Sequence, residues 1–285
     1  MGSLLKQLND KRKIIVMPGV YDALSARIAE QIGFDVVFQS GYSVSAGILG
    51  MPDYGFLNAG EAVEQARKIT RAISIPLIVD IDTGYGNPLT VWRLIRDLEA
   101  AGVAGVFLED QVWPKRCGHM SGKQVVSTDE YLPKLRAAVE ARSSKEFVIV
   151  ARTDAIEPLG IDEAIRRGKE YRKTGADAVF IEAPRTIGEL EKVGKSVDAP
   201  LVANMMEGGK TPLLSAEELR RLGFRLVVFP LTALFSATYA VREAFQTLKT
   251  KGTTRSAMRR MVTFDEFNKF VDLQKYKMLE QKYKR

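Results

Sequence analysis

Three carboxylates are spaced along the sequence as metal ligands would be. Asp80 and Asp82 lie two residues apart, and Glu109 follows the next short apolar run. On a strand, residues two apart face the same side, so these aspartates would repel each other unless a cation or a proton lay between them. An isolated Asp-x-Asp is as often a turn followed by a helix cap, but Glu109 at a neighbouring strand end favours a metal site. Asp53, in a predicted loop, and Glu182 are weaker candidates.

The composition narrows the identity of such a metal. The chain has one cysteine, Cys117, and one histidine, His119, so these residues cannot form a structural zinc site or an internal disulfide. Oxygen ligands alone predict a hard cation, with Mg²⁺, Mn²⁺ and Ca²⁺ as the possibilities. A single cysteine also fits a reducing compartment.

The segment KRCGHMSGK, residues 115–123, carries the only thiol of the chain. A lone cysteine is usually an inert core residue. Cys117, however, stands among Lys115, Arg116, His119 and Lys123, where neighbouring cations are expected to lower the pKa of its thiol. The segment lies just beyond a predicted strand and contains two glycines, as expected of a lid that closes over a substrate. These features favour a functional cysteine over a packed one.

Short apolar runs alternate with amphipathic, charge-rich segments along most of the chain. Each run is short enough for a buried parallel strand, and the segments between the runs are of helical type. Eight strands alternating with helices predict an α/β protein with a (β/α)8 TIM barrel. A doubly wound open sheet is the alternative, but it usually has fewer strands, and no GxGxxG follows the first run. The runs are residues 14–17, 36–39, 77–81, 104–108, 147–151, 178–181, 201–203 and 226–229.

Residues 1–285 are predicted to form one domain, with residues 251–285 as a C-terminal helical extension. The extension holds ten Lys or Arg against four Asp or Glu, which accounts for most of the net charge of +7. No nucleic-acid motif accompanies this charge, so a solvated basic helix face is the preferred interpretation. The extension also carries an apolar stripe that needs a partner surface, formed by Phe264, Phe267, Phe270, Val271 and Met278.

The chain shows no signal for a membrane or for export. No apolar run approaches the roughly 20 residues that span a bilayer. The segment MGSLLKQLNDKRK lacks the apolar core of a signal peptide, and Lys6 stands where a myristoylation signal requires Ser or Thr. These features predict a cytoplasmic protein that acts on a small molecule, without membrane or nucleic-acid partners.

In a (β/α)8 barrel the active site lies at the C-terminal ends of the strands. The polar residues that follow the predicted strands are therefore expected to converge on one mouth. They are Gln39, Ser40, Gly41, Tyr42, Asp80, Asp82, Glu109, Asp110, Arg152, Asp154, Glu182 and Asn204.

Four segments together resemble the isocitrate lyase/phosphoenolpyruvate mutase superfamily. They are VDIDTGYGN (79–87), EDQVWPKRCGHMSGK (109–123), ARTDA (151–155) and NMMEGGKTPL (204–213). The resemblance spans residues 18–230, and the KRCGH loop is its most specific marker. Within the superfamily the chain is most similar to the short lyases that act on 2-methylisocitrate, 2,3-dimethylmalate and 2-alkylmalates. The resemblance implies a TIM barrel, bound Mg²⁺, and a homotetramer whose C-terminal helices are swapped between subunits.

The resemblance also implies a role for each matching residue. Asp80 would bind the metal directly, with Asp53, Asp82 and Glu109 around it through water. The residues that bind the pyruvate-like part of the substrate or line the pocket would be Ser40, Gly41, Tyr42, Arg152, Glu182 and Asn204. The gating loop, which would supply catalytic residues together with Arg152, would comprise Lys115, Arg116, Cys117, Gly118 and His119.

The implied reaction cleaves a carbon–carbon bond in a 2-hydroxycarboxylate, giving pyruvate and a second carboxylate. Loss of the hydroxyl proton would give an alkoxide that expels a carbanion. A metal would stabilise the alkoxide as a Lewis acid, and nearby cations would stabilise the enolised carboxylate. Cys117 would protonate the carbanion. The base that removes the hydroxyl proton stays open between Tyr42 and Arg152.

Two other reactions at the same metal site are alternatives, namely carboxyphosphonoenolpyruvate phosphonomutase chemistry and oxaloacetate decarboxylation. Phosphoenolpyruvate mutases and oxaloacetate decarboxylases of the superfamily lack the Cys117 loop, whereas carboxyphosphonoenolpyruvate mutases are close relatives of the lyases. A basic scaffold or nucleic-acid binder would leave the clustered carboxylates unexplained.

Among the lyases, the apolar segment FPLTALF, which ends at Phe235, is expected to face the distal end of the substrate. This favours a 2-alkylmalate or dimethylmalate over the tricarboxylate 2-methylisocitrate.

Overall fold

Eight parallel strands close into a barrel in which each strand pairs with its neighbours in the sequence and β8 pairs with β1. The computed structural model describes residues 4–10 and 12–284, apart from the side chain of Asn9. The predicted (β/α)8 barrel is therefore confirmed. The strands are β1 Ile15–Val20, β2 Val37–Gln39, β3 Leu77–Asp80, β4 Gly105–Glu109, β5 Val148–Thr153, β6 Ala178–Ile181, β7 Leu201–Asn204 and β8 Leu226–Phe229.

Every apolar run in the sequence forms a strand, and the differences lie at the ends. The largest is in β1, which continues past Met17 through Pro18 and Gly19. Pro18 has no N–H to donate, yet it stays in register with Phe229 of β8, and Gly19 pairs with Phe38 of β2. A proline at the end of an apolar run therefore does not mark the end of this strand.

Helices connect the strands on the outside of the barrel, and several begin at capping residues. Asn58 and Ser215 each form a capping box with the glutamate three residues later, and Asn87 caps a helix that has Pro88 in its first turn. The helices are α1 Leu4–Asn9, α2 Ala23–Ile32, α3 Gly41–Val44, α4 Ala59–Thr70, α5 Pro88–Ala100, α6 Thr128–Ala141, α7 Ile156–Leu159, α8 Ile161–Thr174, α9 Ile187–Ser196, α10 Ala216–Arg221, α11 Thr232–Lys251, α12 Phe264–Phe270 and α13 Leu273–Tyr283, with a π-helical turn at Ser45–Leu49 and a 3₁₀ segment at Arg255–Arg260.

A row of aromatic side chains fills the barrel interior beneath the mouth. The ring of Phe107 on β4 lies 4.8 Å from the ring of Phe38 on β2 and 5.6 Å from that of Phe180 on β6, measured between centroids. All three side chains are buried. Because they stand on alternate strands, they pack in one layer across the barrel and form a rigid floor for the residues at the strand ends.

The C-terminal part of the chain leaves the barrel wall. Helix α11 is 20 residues long and contains no buried residue, although it carries Phe235, Tyr239, Val241 and Phe245. Helix α12 returns to its own barrel, where Gln31 Nε2 on α2 donates to the carbonyl of Phe270 at 3.3 Å. The predicted extension is thus helical, and much of its apolar stripe is exposed.

Within residues 4–10 and 12–284, no helix combines the length and the apolar character needed to cross a membrane. The interpretation of the first residues as neither a signal peptide nor a myristoylation site falls partly on residues 1–3, which lie outside the described residues. A cytoplasmic location stays a prediction.

Replacing Phe107 by alanine tests the aromatic floor. Phe107→Ala removes the middle ring of the row and leaves a cavity, so the free energy of unfolding should fall by about 3–5 kcal/mol. Trp92 on α5 is 48% exposed and serves as the control, since Trp92→Ala should cost less than about 1 kcal/mol. Denaturant titration followed by circular dichroism measures both losses, and equal losses would contradict the assigned role.

Candidate active site

The predicted metal ligands gather around the ammonium group of Lys115. Asp80 ends β3, Glu109 ends β4, and Asp82 follows β3 with a positive φ of 49°. Lys115 Nζ lies 2.7 Å from Asp82 Oδ1 and donates a short hydrogen bond to Asp53 Oδ1. Asp80 is half-buried, whereas the other carboxylates of this cluster and Lys115 are buried. The loop that bears the thiol therefore also inserts a cation among the carboxylates.

Burial changes the proton affinities of this cluster. It raises the pKa of the Asp82 carboxyl to about 7, although Lys115 acts in the opposite direction. Burial likewise raises the pKa of Asp80, and that of Glu109 well above its usual range. Burial alone would lower the pKa of Lys115, but Asp82, Asp53 and the other carboxylates outweigh it and hold that pKa well above the ordinary value. The cluster thus has more negative charge than one lysine neutralises.

The donor set fits a hard cation, although no three acidic, His or Cys side chains of the described residues already form a metal cluster. Glu109 Oε1 is buried and has no hydrogen-bond partner among those residues. A Cβ on Gly41 would lie 3.2 Å from Asp80 Oδ2 and 3.4 Å from Asp82 Oδ1, so the glycine leaves space beside these oxygens. Oxygen ligands, surplus negative charge and open space together suit Mg²⁺ or Mn²⁺.

Arg152 crosses the mouth between the remaining carboxylates. Its Nε lies 2.8 Å from Asp154 Oδ2 and 3.2 Å from Glu109 Oε2, and its Nη2 lies 3.5 Å from Glu182 Oε2. Residues 152 and 154 are two apart on one strand end and so face the same side. Burial would lower the pKa of Arg152, but Asp154 and the two glutamates outweigh it and keep the guanidinium charged.

Asp110 does not join the mouth, contrary to the expectation that all of the strand-end carboxylates would converge. It is adjacent to Glu109, so alternation along the strand turns it to the outer side of the barrel. There its carboxylate accepts hydrogen bonds from Thr153 Oγ1 at 2.7 Å, from the backbone N–H of Asp154 at 2.9 Å and from Tyr171 Oη at 2.7 Å. Asp110 therefore fixes the strand end that carries Arg152.

The loop around Cys117 is seated against these residues. A Cβ on Gly118 would lie 2.7 Å from Glu182 Cγ and would also collide with Arg152 Nη2, so only glycine allows this approach. His119 Nε2 lies 3.0 Å from Glu182 Oε1 and 3.2 Å from Asn204 Nδ2. Since His119 Nδ1 accepts from the backbone N–H of Lys210 at 2.9 Å, the ring proton is assigned to Nε2, which donates to Glu182.

The expected lowering of the thiol pKa is wrong. Burial raises the pKa of Cys117 to about 11, and the charge of Asp53 adds to the effect. Lys115 and a hydrogen bond with the His119 backbone act in the opposite direction but are outweighed. The lysines of the loop have other partners, since Lys115 is engaged by Asp53 and Asp82, and Lys123 Nζ lies 3.0 Å from Asp154 Oδ1. The thiol therefore holds its proton at neutral pH.

A cavity in the mouth brings most of the predicted site residues together. Four other predicted residues do not line the cavity, namely Gly41, Asp82, Glu109 and Glu182. Arg116 is exposed instead, with its Nη1 donating to the carbonyl of Ser121 at 3.0 Å. The predicted residues that line the cavity are Ser40, Tyr42, Asp53, Asp80, Lys115, Cys117, Gly118, His119, Arg152 and Asn204.

The apolar part of the cavity differs from the sequence prediction. Phe235 is 41% exposed on α11 and is not among the lining residues. Pro230 and Leu231, four or five residues earlier, line the cavity together with Met206. The segment after β8 faces the cavity only before α11 begins at Thr232, and the helix then carries Phe235 away. The position of that helix start is not marked by any capping side chain.

Comparison with known proteins agrees with this geometry. Residues 5–249 match the family described as phosphoenolpyruvate phosphomutase. The chain is 48% identical to the petal death protein of Dianthus caryophyllus over 98% of this chain and 88% of that protein. It is 43% identical to the 2,3-dimethylmalate lyase of Eubacterium barkeri over 98% of this chain and 96% of that protein.

Solved structures show the same fold with ligands bound. An oxaloacetate acetylhydrolase in complex with 3,3-difluorooxalacetate superimposes with a TM-score of 0.93 at 37% identity, over 98% of this chain and 95% of that one. A phosphonopyruvate hydrolase in complex with oxalate and Mg²⁺ superimposes with a TM-score of 0.89 at 32% identity, over 99% of this chain and 98% of that one.

The barrel, the buried carboxylates and the Cys117 loop define a carbon–carbon lyase of the TIM-barrel class. The chain belongs to the phosphoenolpyruvate phosphomutase family, within the isocitrate lyase/phosphoenolpyruvate mutase superfamily.

The raised pKa of Asp82 predicts how stability depends on pH. Between its usual pKa of 3.8 and the folded value of about 7, the folded state binds more protons than the unfolded state. The free energy of unfolding should therefore fall as pH rises through this range, with the full penalty above about pH 7. In chelator-treated protein, Asp82→Asn removes this pH-dependent penalty, so the Tm of the variant minus that of the wild type should increase between about pH 5 and about pH 8.

The exposed Asp129 on α6 provides the control for this measurement, since Asp129→Asn should follow the wild type across the same range. A constant Tm difference between Asp82→Asn and the wild type would contradict the raised pKa.

Proposed function

We propose that the chain is a Mg²⁺-dependent lyase, with Mn²⁺ as a possible substitute, that cleaves a 2-hydroxy-2-alkyl dicarboxylate or tricarboxylate. The products would be pyruvate and a second carboxylate. The observation that carries the proposal is the position of Cys117. Its protonated thiol lines the same cavity as Asp80 and Arg152, so a proton donor faces both the acidic cluster and a fixed cation.

Asp80 would hold the metal directly, with Asp53, Asp82 and Glu109 around it through water. When bound, the cation would supply Lewis-acid stabilisation of negative charge on the substrate oxygens. The raised pKa values of Asp80, Asp82 and Glu109 support this assignment, because a cation would stabilise the charged carboxylates that burial, with a contribution from mutual repulsion, disfavours. The similar phosphonopyruvate hydrolase that binds oxalate and Mg²⁺ supports it as well.

The protein side chains would bind the substrate and stabilise the charge that develops on it. Ser40, Gly41 and Tyr42, at the end of β2, would receive the carboxylate and carbonyl of the pyruvate-like part. Arg152 would stabilise the developing carbanion as a fixed cation, with Glu182 and Asn204 orienting His119 beside it. The pKa of Arg152 lies well above the ordinary value, so Arg152 is unsuited to remove the hydroxyl proton of the substrate.

Cys117 would then transfer its proton to the carbanion. A neutral thiol is the form that a general acid needs, so the raised pKa of Cys117 favours this role over that of a nucleophile. The loop would exclude water from the carbanion while Lys115, Gly118 and His119 line the cavity around it.

The cavity favours a dicarboxylate with an apolar substituent. Pro230, Leu231 and Met206 supply an apolar wall. The lining cations Lys115 and Arg152 already face several protein carboxylates, so a third substrate carboxylate would lack a free cationic partner among the described lining residues. We therefore favour 2,3-dimethylmalate or another 2-alkylmalate over 2-methylisocitrate.

The second candidate is phosphonomutase chemistry of the carboxyphosphonoenolpyruvate type, which the family description favours. Oxaloacetate decarboxylation at the same site is a further alternative. Phosphonomutase chemistry explains a protonated thiol in the cavity less simply than carbanion protonation does. Decarboxylation also leaves an enolate that must be protonated, so assays of the two substrates separate it from the lyase reaction.

We further propose a homotetramer in which C-terminal helices are exchanged between subunits. The support is helix α11, which has no fully buried side chain and includes the exposed residues Phe235, Tyr239 and Phe245. Burying such side chains against a neighbour would stabilise the assembly.

Parallel assays of pyruvate release test the proposed reaction. With Mg²⁺, 2,3-dimethylmalate or a 2-alkylmalate should be cleaved with a kcat/KM at least about tenfold above that for 2-methylisocitrate, because a third carboxylate would be left unpaired. Chelation should abolish the activity, and Mg²⁺ or Mn²⁺ should restore it. Turnover of oxaloacetate or a phosphonate alone would favour the alternatives.

Cys117→Ser tests the proton donor. Serine is a far weaker acid than a thiol, so kcat should fall by about 10²–10⁴-fold while the affinity for oxalate stays within about threefold. Calorimetric titration measures the affinity, and Ser121→Ala, on the same loop, serves as the control with normal turnover. Undiminished kcat in Cys117→Ser would remove the thiol from the mechanism.

A further inference from the structure

Two residues outside the cavity, on segments that follow different strands, contact the loop. Glu157 lies on α7, which follows β5, and its Oε1 accepts from the backbone N–H of Gly122 at 2.8 Å. Lys210 lies in the segment after β7, and its Nζ donates to the carbonyl of Met120 at 3.3 Å. Strands β5 and β7 lie on either side of β6 in the barrel. The two contacts therefore come from segments that follow two different strands.

The two residues also bind each other. Lys210 Nζ lies 2.8 Å from Glu157 Oε2, so both carboxylate oxygens of Glu157 are engaged, one by the loop and one by the lysine. The backbone N–H of Lys210 donates to His119 Nδ1, which fixes the ring that faces Glu182. Each member therefore contacts the loop and the other member at the same time.

This pair differs in exposure from the contacts at the base of the loop. Lys123 is buried, and its Nζ donates to Asp154 and to the carbonyl of Gly118. The side chains of Glu157 and Lys210 are 20% and 28% exposed. Half-exposed ion pairs are worth only modest free energies, so this pair can break and reform more readily than the buried contacts of Lys123.

Movement of the loop would change access to the cavity. Lys115, Cys117, Gly118 and His119 line the cavity, so a shift of the loop would widen the path by which a substrate enters and products leave. Contacts that hold the loop without lining the cavity set how often it opens.

We propose that Glu157 and Lys210 form a latch that holds the Cys117 loop closed and so positions the thiol over the cavity. The inference rests on the proposed function only for its catalytic consequence. Neither residue lines the cavity, so both are positioning residues whose effect reaches the reaction through Cys117, Gly118 and His119.

Alkylation of Cys117 by iodoacetamide measures loop opening without turnover. Cys117 is the only cysteine, so each label incorporated reports on it alone, and the reagent is uncharged. Glu157→Ala and Lys210→Met should each raise the alkylation rate of the Mg²⁺-treated protein on the order of tenfold, because each removes charge-assisted hydrogen bonds to the loop. Glu157→Gln, which keeps an oxygen acceptor for Gly122, should give a smaller increase of about threefold.

The double variant Glu157→Ala/Lys210→Met separates a latch from two independent contacts. If the residues act together, its rate should not exceed that of the faster single variant, whereas independent contacts would multiply to about a hundredfold. Lys192→Met is the matched control, since it removes a lysine from an ion pair between α8 and α9 and should leave the rate unchanged.

Substrate kinetics distinguish this proposal from the proposed reaction. Faster alkylation with kcat lowered more than KM is raised supports both. Faster alkylation in a protein that cleaves none of the candidate acids supports the latch alone. Unchanged alkylation in Glu157→Ala, Glu157→Gln and Lys210→Met, with Tm values close to the wild type, overturns the latch whatever the reaction is.

Discussion

The seating of Lys115 among Asp53 and Asp82 is the interaction on which the mouth of the barrel depends. Each of these groups is buried, and each would be costly to bury alone. The ion pair joins three separate segments of the chain, namely the loop before α4, the end of β3 and the Cys117 loop. Because residues 115–119 are consecutive, the position of the ammonium group determines where the thiol and the imidazole can lie.

A second set of contacts completes the mouth from the opposite side. Asp154 binds both Arg152 and Lys123, and Asp110 holds the end of β5, which carries Arg152 and Asp154. The barrel floor of Phe38, Phe107 and Phe180 supports this set from below, and the ring of Phe180 lies 5.1 Å from the Arg152 guanidinium carbon. The cavity thus lies between two charged groups of residues, which the loop joins when it is seated.

Much of this arrangement could be predicted from the sequence because it follows from local rules. Apolar runs of β-branched residues give strands, their alternation with helices gives the barrel, and the barrel places Asp80, Glu109 and Arg152 at one end. Strand alternation could equally have assigned Asp110 to the outer side, since it is adjacent to Glu109. The pKa of Cys117 was mispredicted because nearby lysines in the sequence say nothing about which carboxylates they pair with in space. The latch residues Glu157 and Lys210 lie 53 positions apart, so only the fold reveals them.

The close approach of Gly118 to Arg152 and Glu182 shows that the KRCGH motif also carries a steric requirement. Its glycine takes no part in any bond-making step, yet any larger residue there would keep the chemically active groups intact and hold them away from the mouth. The structural requirement at this position is therefore small volume rather than reactivity. A sequence could carry every reactive group of the motif and still lack the closed state if that one hydrogen were replaced by a methyl group.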